Sequence, residues 1–180
     1  QEAKYPTIIG IDCEMCETSD PVSNTKDPSA LIRLSIVSGS DVANNFPAIL
    51  DTLVNPQMPI TDIRSNIHGI VENQLHTVQF TLRHAQAALL SMCSDNCIIV
   101  GHSLHNDLKS LKFIHSKALY IDTSYAFDIE NEAGKSPSLR DIAMFVNNTN
   151  LSANRQHDSV QDAQIAIQAV YYLIEQQKLV

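Results

Sequence analysis

The stretch Ile8-Ile9-Gly10-Ile11-Asp12-Cys13-Glu14 constrains this chain more than any other part of it. Tyr5 to Cys13 reads as a strand, with Pro6 near its start and isoleucines at 8, 9 and 11. Two acids then mark its end. Alternation turns Asp12 and Glu14 to one face with Gly10, and Ile9, Ile11 and Cys13 to the other. Two neighbouring carboxylates on so apolar a strand are costly unless something pairs them. Taken alone, the same pattern also fits a strand that has simply ended in solvent.

The rest of the chain supplies partners for that strand. At 180 residues and 44% hydrophobic content it is long enough for one domain with a substantial core. No internal repeat or linker divides it, so residues 1–180 are read as a single domain. The opening residue is Gln1 rather than Met, so the chain is expected to be a piece of a longer protein. Cys16 to Ala30, polar and holding Pro21 and Pro28, reads as a loop. Leu31–Val37 and Ile49–Val54 read as strands, as do Cys97–Val100 and Leu119–Ile121. Helical spacing marks Leu82–Met92, Leu104–Leu111 and Leu139–Val146. A last helix carries Val160, Ala163, Ile167, Val170 and Ile174 on one stripe. Strands first in a run, then alternating with helices, predict an α/β domain with a mixed sheet.

Two later segments bear acids that a core does not explain. Asp107 follows the strand ending at Val100 and shares a helix face with Leu104, Leu108 and Leu111. It therefore sits on the core side, near the carboxyl end of a strand, where open sheets bind ligands. In His157-Asp158-Ser159-Val160-Gln161-Asp162, Asp158 fits a helix cap, with Gln161 completing a capping box. Asp162 is left over, on a face with Ala166 and Ala169 that lets the helix lie close to the sheet. His157 stands just before the helix, free to point into the same space. Asp12, Glu14, Asp107 and Asp162 would repel one another in one site, and divalent cations remove that problem. All-oxygen ligands suit Mg²⁺ or Mn²⁺, and two such ions can clamp a phosphoryl displacement.

Charge narrows the partners. Lys+Arg 12 against Asp+Glu 20 leaves −8, which excludes bulk electrostatic binding of nucleic acid or of an anionic membrane. A phosphate-bearing partner needs a metal or a local basic track, for which Arg33, Lys109, Lys112 and Lys117 are candidates, with Arg83 weaker. No apolar run is long enough for a membrane helix. Cys13-x-x-Cys16 has zinc-ligand spacing, but the second pair is Cys93-x3-Cys97 and Cys13 lies in an apolar strand, so all four read as buried thiols. The sequons at Asn147 and Asn150 carry little weight without a signal peptide.

At Ile8–Met15, Gly101–Lys112 and His157–Ala163 the chain resembles the three motifs of DnaQ-like 3′–5′ exonucleases of the DEDDh branch. More closely, it is similar to Rex-type eukaryotic RNA exonucleases and the plant small-RNA-degrading nucleases. Leu31–Leu34, Val54–Pro56, Leu82–Gln86 and Tyr120–Thr123 support the likeness, which runs from Thr7 to Tyr172. The resemblance implies a ribonuclease H-like fold, with a five-stranded mixed sheet flanked by helices on both faces. It implies two-metal hydrolysis of RNA from a free 3′ end, releasing nucleoside 5′-monophosphates, in a nuclear setting that includes the nucleolus. By this likeness Asp12, Glu14, Asp107 and Asp162 bind two divalent metals, Mg²⁺ or Mn²⁺, and His157 activates the attacking water. A histidine suits that role near neutral pH, its unperturbed pKa being about 6.5. Met15 would lie against the terminal nucleotide, and Leu104, Arg33 and Lys109 are expected among the substrate contacts. Relatives usually carry Ser-Gly-Ile-Thr where this chain has His68-Gly69-Ile70-Val71, so His68 and Ile70 would alter contacts near the 3′ nucleotide. Two rivals remain: a DNA exonuclease, because the motifs do not read the 2′-hydroxyl, and an inactive RNA-binding scaffold.

Overall fold

The computed structural model describes residues 8–93, 96–114, 118–127, 136–152 and 156–177. Its strands are β1 (Ile8–Ser19), β2 (Lys26–Ser38), β3 (Ala48–Leu53), β4 (Ile60–Asp62), β5 (Ile98–Gly101) and β6 (Leu119–Asp122). Its helices are α1 (Ser65–His68), α2 (Leu82–Met92), α3 (His105–Leu111), α4 (Leu139–Asn147) and α5 (Ser159–Gln177). The predicted α/β class and mixed sheet hold, with strand order β3-β2-β1-β5-β6. β1 runs antiparallel to β2 on one side and parallel to β5 on the other. A sixth strand, β4, joins the far end of β1 through Glu17 and Thr18.

The segment expected to be a loop is the largest departure. β1 continues to Ser19 and β2 already begins at Lys26, so Cys16–Ala30 forms most of a two-stranded arm. Only a short turn separates the strands, closed by the Asp20 N–H donating to the Thr25 carbonyl and with Asn24 in the left-handed region at φ 55°. Pro28 is tolerated because the register slips between Cys16 and Thr18, next to where it sits. The arm is anchored by Cys16, Ala30 and Ile32 packing on Ile70 and Leu75. The Tyr5–Thr7 start of the predicted first strand lies outside the described residues.

Helices cover both faces. On one, Ile9, Ile11 and Cys13 of β1 pack with Leu34, Ile36 and Ile99 under Ala85 and Leu89 of α2 and Leu111 of α3. Ile9, Ile11, Ile36 and Ile99 are fully buried, each contributing about 1.5–3 kcal/mol. On the other face α5 lies over Val37 and Val100 through Ala163, Ala166 and Ile167, and α4 packs outside α5 around Ile142 and Ala169. The close approach of α5 depends on Gly10: a Cβ there would stand 2.7 Å from Ile167 Cγ1 and 2.9 Å from the Ala163 carbonyl oxygen. The predicted helical stripe needs one correction. Ile174 is exposed, because α5 has run beyond the sheet by then, and Val160 and Val170 are half-buried.

All four cysteines are free and buried. Cys13 and Cys16 belong to cores on opposite sides of β1, as strand alternation requires, so they do not form a ligand pair. Among the described residues no helix is long and apolar enough to cross a membrane.

Candidate active site

Asp12 and Glu14 point to the α5 face of β1, and the structure brings Asp107 and Asp162 to them from two helices. Asp107 arrives because a strand stops. β5 pairs with β1 only from Ile8 to Gly10. Beyond that point the Cys13 N–H donates to Asp107 Oδ1 at 2.8 Å instead, which stitches the first turn of α3 to β1. Leu104 and Leu111 turn that helix inward and are buried. Asp107 shares their face, as its spacing predicts, and is 3% exposed. Asp162, in the first turn of α5, is 5% exposed and gains its place through the small contacts of Ala163 and Ala166 over Gly10.

The electrostatics of this group are those of acids with too little compensation. Burial pushes the Asp12 carboxyl well above its ordinary range, and Asp107, Asp162 and Glu14 push it further. Arg33 opposes them only weakly, as the last contribution. The Asp107 carboxyl is raised to about 7, chiefly by burial, against the lowering effect of the Cys13 N–H. Carboxylate oxygens are the donors that hard divalent cations prefer, and a site that raises its own acids gains most from binding a cation. The residues therefore fit such ions by chemistry. Among the described residues, however, no three His, Cys, Asp or Glu side chains converge into a closed ligand set.

His157 stands at the lip, its side chain 57% exposed, with Nδ1 3.9 Å from Asp162 Oδ2. Its backbone N–H donates to the Ile67 carbonyl at 2.8 Å, which ties the approach to α5 onto α1. Asp158 caps α5 by accepting from the Val160 N–H at 3.2 Å. Beside His157 and Asp162 opens a cleft of about 400 Å³, lined also by His102, Ser103, Ser138 and Arg140. Sequence reasoning passed over His102 and Arg140. The signal available was Ser138-Leu139-Arg140, which starts α4 with a cap and a cation together.

The expected substrate contacts fare unevenly. Met15 is half-buried on the α2–α3 side of β1. Leu104 is 1% exposed and Ile70 6%, and both belong to core clusters. His68 is likewise turned inward: Nδ1 accepts from the Ile70 N–H at 3.1 Å and Nε2 donates to the Ile63 carbonyl at 2.9 Å. Burial lowers its pKa, in keeping with that neutral tautomer. Arg33 is committed to Asp51, with Nε 2.8 Å from Oδ1 and a terminal nitrogen 2.9 Å from Oδ2. Lys109 and Lys112 line a separate groove with Lys26, where Lys112 pairs with Asp27 at 3.2 Å and Lys26 with Glu17 at 2.7 Å. Among the described residues, Arg33 and these lysines line separate grooves. Arg83 is exposed, and Lys117 lies outside the described residues. Asp122, at the end of β6, accepts from the Ser103 N–H at 2.8 Å and so shapes the turn leading into α3.

Known proteins are similar to this chain. RNA exonuclease 1 of Saccharomyces cerevisiae is 33% identical over 162 residues, covering 89% of this chain and 27% of its own. The apoptosis-enhancing nuclease of Homo sapiens is 33% identical over 175 residues, 94% of this chain and 50% of that one. Small RNA degrading nuclease 3 of Arabidopsis thaliana is 29% identical over 174 residues, 96% of this chain and 21% of that one. The chain thus spans half or less of these relatives. Among solved structures, the Pan2 pseudoubiquitin hydrolase–RNA exonuclease module of Saccharomyces cerevisiae in complex with A7 RNA superposes with a TM-score of 0.77 at 21% identity, covering 99% of this chain and 30% of that one. Residues 9–170 match the RNase_T family, described as Exonuclease. That match takes in β1, α3 and all but the end of α5, and the chain belongs to the RNase_T exonuclease family.

Proposed function

We propose that this chain is a metal-dependent 3′–5′ exoribonuclease that trims RNA ends to nucleoside 5′-monophosphates in the nucleus. The observation that carries the reading is that Asp12, Glu14, Asp107 and Asp162, from β1, α3 and α5, lie near enough for the last three to act on the charge of Asp12, with His157 beside Asp162. Family membership and the RNA-directed names of two of the relatives above support it. The four carboxylates would hold two divalent cations, Mg²⁺ or Mn²⁺. When bound, these supply the positive charge that balances the acids and the charge developing on the phosphate and its leaving oxygen.

The remaining work falls to the chain. His157 takes the proton from the attacking water, as a general base whose exposed ring is free to meet a substrate. Asp162 stands 3.9 Å from its ring. Attack on the last phosphodiester displaces the 3′ oxygen of the preceding nucleotide and frees one nucleotide. The cleft lined by His102, Ser138 and Arg140 adjoins this point and offers the strand a cation that the acidic centre lacks.

A time course on 3′-labelled and 5′-labelled RNA, with matched DNA, run with and without EDTA, tests the reading. Immediate release of labelled mononucleotide from the 3′-labelled strand is expected. The 5′-labelled strand should shorten in steps, and EDTA should stop both. Internal cuts, EDTA resistance or a preference for DNA would overturn it.

A further inference from the structure

Arg33 has a place in the fold that a substrate contact does not explain. It lies on β2 directly opposite Glu14 of β1, yet its guanidinium turns to other carboxylates. Both oxygens of Asp51 on β3 take it in a fork, at 2.8 and 2.9 Å. A terminal nitrogen also stands 3.5 Å from Asp158 Oδ1. Two residues along the same face of β2, Ser35 Oγ donates to Asp51 Oδ1 at 2.9 Å and meets Ser159 Oγ at 2.7 Å. Both serines are fully buried. Arg33 and Ser35 thus grip Asp158 and Ser159, the two residues that follow His157, and both grips lead back to Asp51.

His157 itself is tied to α1 by its backbone N–H donating to the Ile67 carbonyl. Its side chain is exposed at the mouth of the site, so the direction of its ring depends on where the first turn of α5 is fixed. That turn also carries Asp162. A planar fork holds Asp51 bidentately and faces Asp158 in one fixed geometry, which the three donors on the single nitrogen of a lysine do not reproduce.

We propose that Arg33 is a positioning residue: bridging Asp51 and Asp158, it registers the first turn of α5 against β2 and so aims His157. This rests on the reading of His157 as the base. A general base displaced by about 1 Å loses on the order of 10²-fold in rate without losing substrate. Asp51 is the fixed end of the bridge and Asp158 the end that moves with the helix.

Four variants of the chain test it: Arg33→Lys, Arg33→Gln, Asp158→Asn and His157→Ala, with Arg33→Lys combined with His157→Ala. Asparagine caps a helix as well as aspartate, so Asp158→Asn removes the charge that faces Arg33 while keeping the cap oxygen. Single-turnover cleavage of a short RNA with Mg²⁺ should fall about 10- to 100-fold in both Arg33 variants and in Asp158→Asn, with KM within about twofold of the parent. In the His157→Ala background Arg33→Lys should cost nothing further, because there is no base left to aim. The proposal is overturned if lysine restores the rate, which would make Arg33 a mere cation beside the acids. It is overturned if KM rises while kcat stays, which would make it an RNA contact. Fully additive losses would also overturn it. His157→Ala running at the parent rate would instead sink the functional reading itself, and this is seen in the single variant before Arg33 is touched.

Discussion

Asp12 and Asp51 lie on one line across the sheet, each opposite Ser35 in its own strand pair, yet they live in opposite fields. Asp51 receives both faces of the Arg33 fork and a serine hydroxyl, and its carboxyl is held below the ordinary range. Asp12, beside Asp107, Asp162 and Glu14, is held well above it. The two sites are one strand apart and compete for the same arginine. The chain gives the fork to the structural acid, and the arginine's pull on Asp12 is the weakest of the influences there. That choice makes little sense for stability, since repelling buried carboxylates are a cost. It makes sense for a site whose positive charge comes from outside the chain.

The comparison predicts a hierarchy of effects, and each step can break it. Replacing Asp12 or Asp107 by asparagine should lower turnover by about 10³-fold or more, equivalent to about 4 kcal/mol of barrier. The same change should raise the melting temperature of the metal-free protein, because repulsion is relieved. Differential scanning calorimetry and a cleavage assay read both. A metal-free protein that Asp12→Asn destabilises would show that the acids are not in conflict.

His157→Ala should cost about 10²-fold in single-turnover rate. RNA and metal affinity should stay near the parent value, because an exposed base takes part in neither. Filter binding alongside rapid-quench cleavage checks the split, and lost affinity with an intact rate would contradict it.

The third effect is on stability against pH in metal-free buffer. The Asp107 carboxyl is raised to about 7 from an unfolded value of 3.8, so between those values the folded chain holds a proton that the unfolded chain has released. The resulting stability is complete at the acid end and disappears as pH rises through 7. The unfolding free energy from urea titration should fall by on the order of 2 kcal/mol between pH 5 and pH 8, and Mn²⁺ should recover the loss. Asp51 works the other way, its contribution vanishing only as pH falls below the ordinary carboxylate range. A midpoint that climbs from pH 5 to pH 8 would reverse the assignment of the two sites.

The smallest effect tests how the acids are brought together. Gly10→Ala places a Cβ within 2.9 Å of the Ala163 carbonyl oxygen, a backbone atom that cannot step aside without moving α5. A loss of about 1–3 kcal/mol is expected, together with weaker metal binding because Asp162 rides on that helix. Isothermal titration with Mn²⁺ separates this from a general loss of fold.

Much of the site was readable one element at a time. Period-2 alternation placed Asp12 and Glu14 together on β1, and period-3.6 spacing placed Asp107 with Leu104 and Leu111 and Asp162 with Ala166. α2 spans the residues its apolar spacing marks, and α4 begins where its own does. The arm from Cys16 to Ala30 was not readable, because its strands are satisfied by pairing with each other and with β4 rather than by an apolar face of their own. A polar arm with one proline in its turn and another in a strand looks like a loop until its partners are known.

Local chemistry alone, then, determined which side chains share a face, since backbone geometry sets that whatever surrounds it. It determined the acidic surplus and the motifs that mark the family. Only the tertiary structure decided which groups are used up. Arg33 is paired by Asp51 from another strand, and Leu104, Ile70 and His68 are buried by neighbouring elements, none of which local spacing shows. Ile174 looked like core until α5 outran the sheet. The reason is common to all of them. A residue's face is a property of a few neighbouring dihedrals, while its burial and its ion pairs are set by residues tens of positions away.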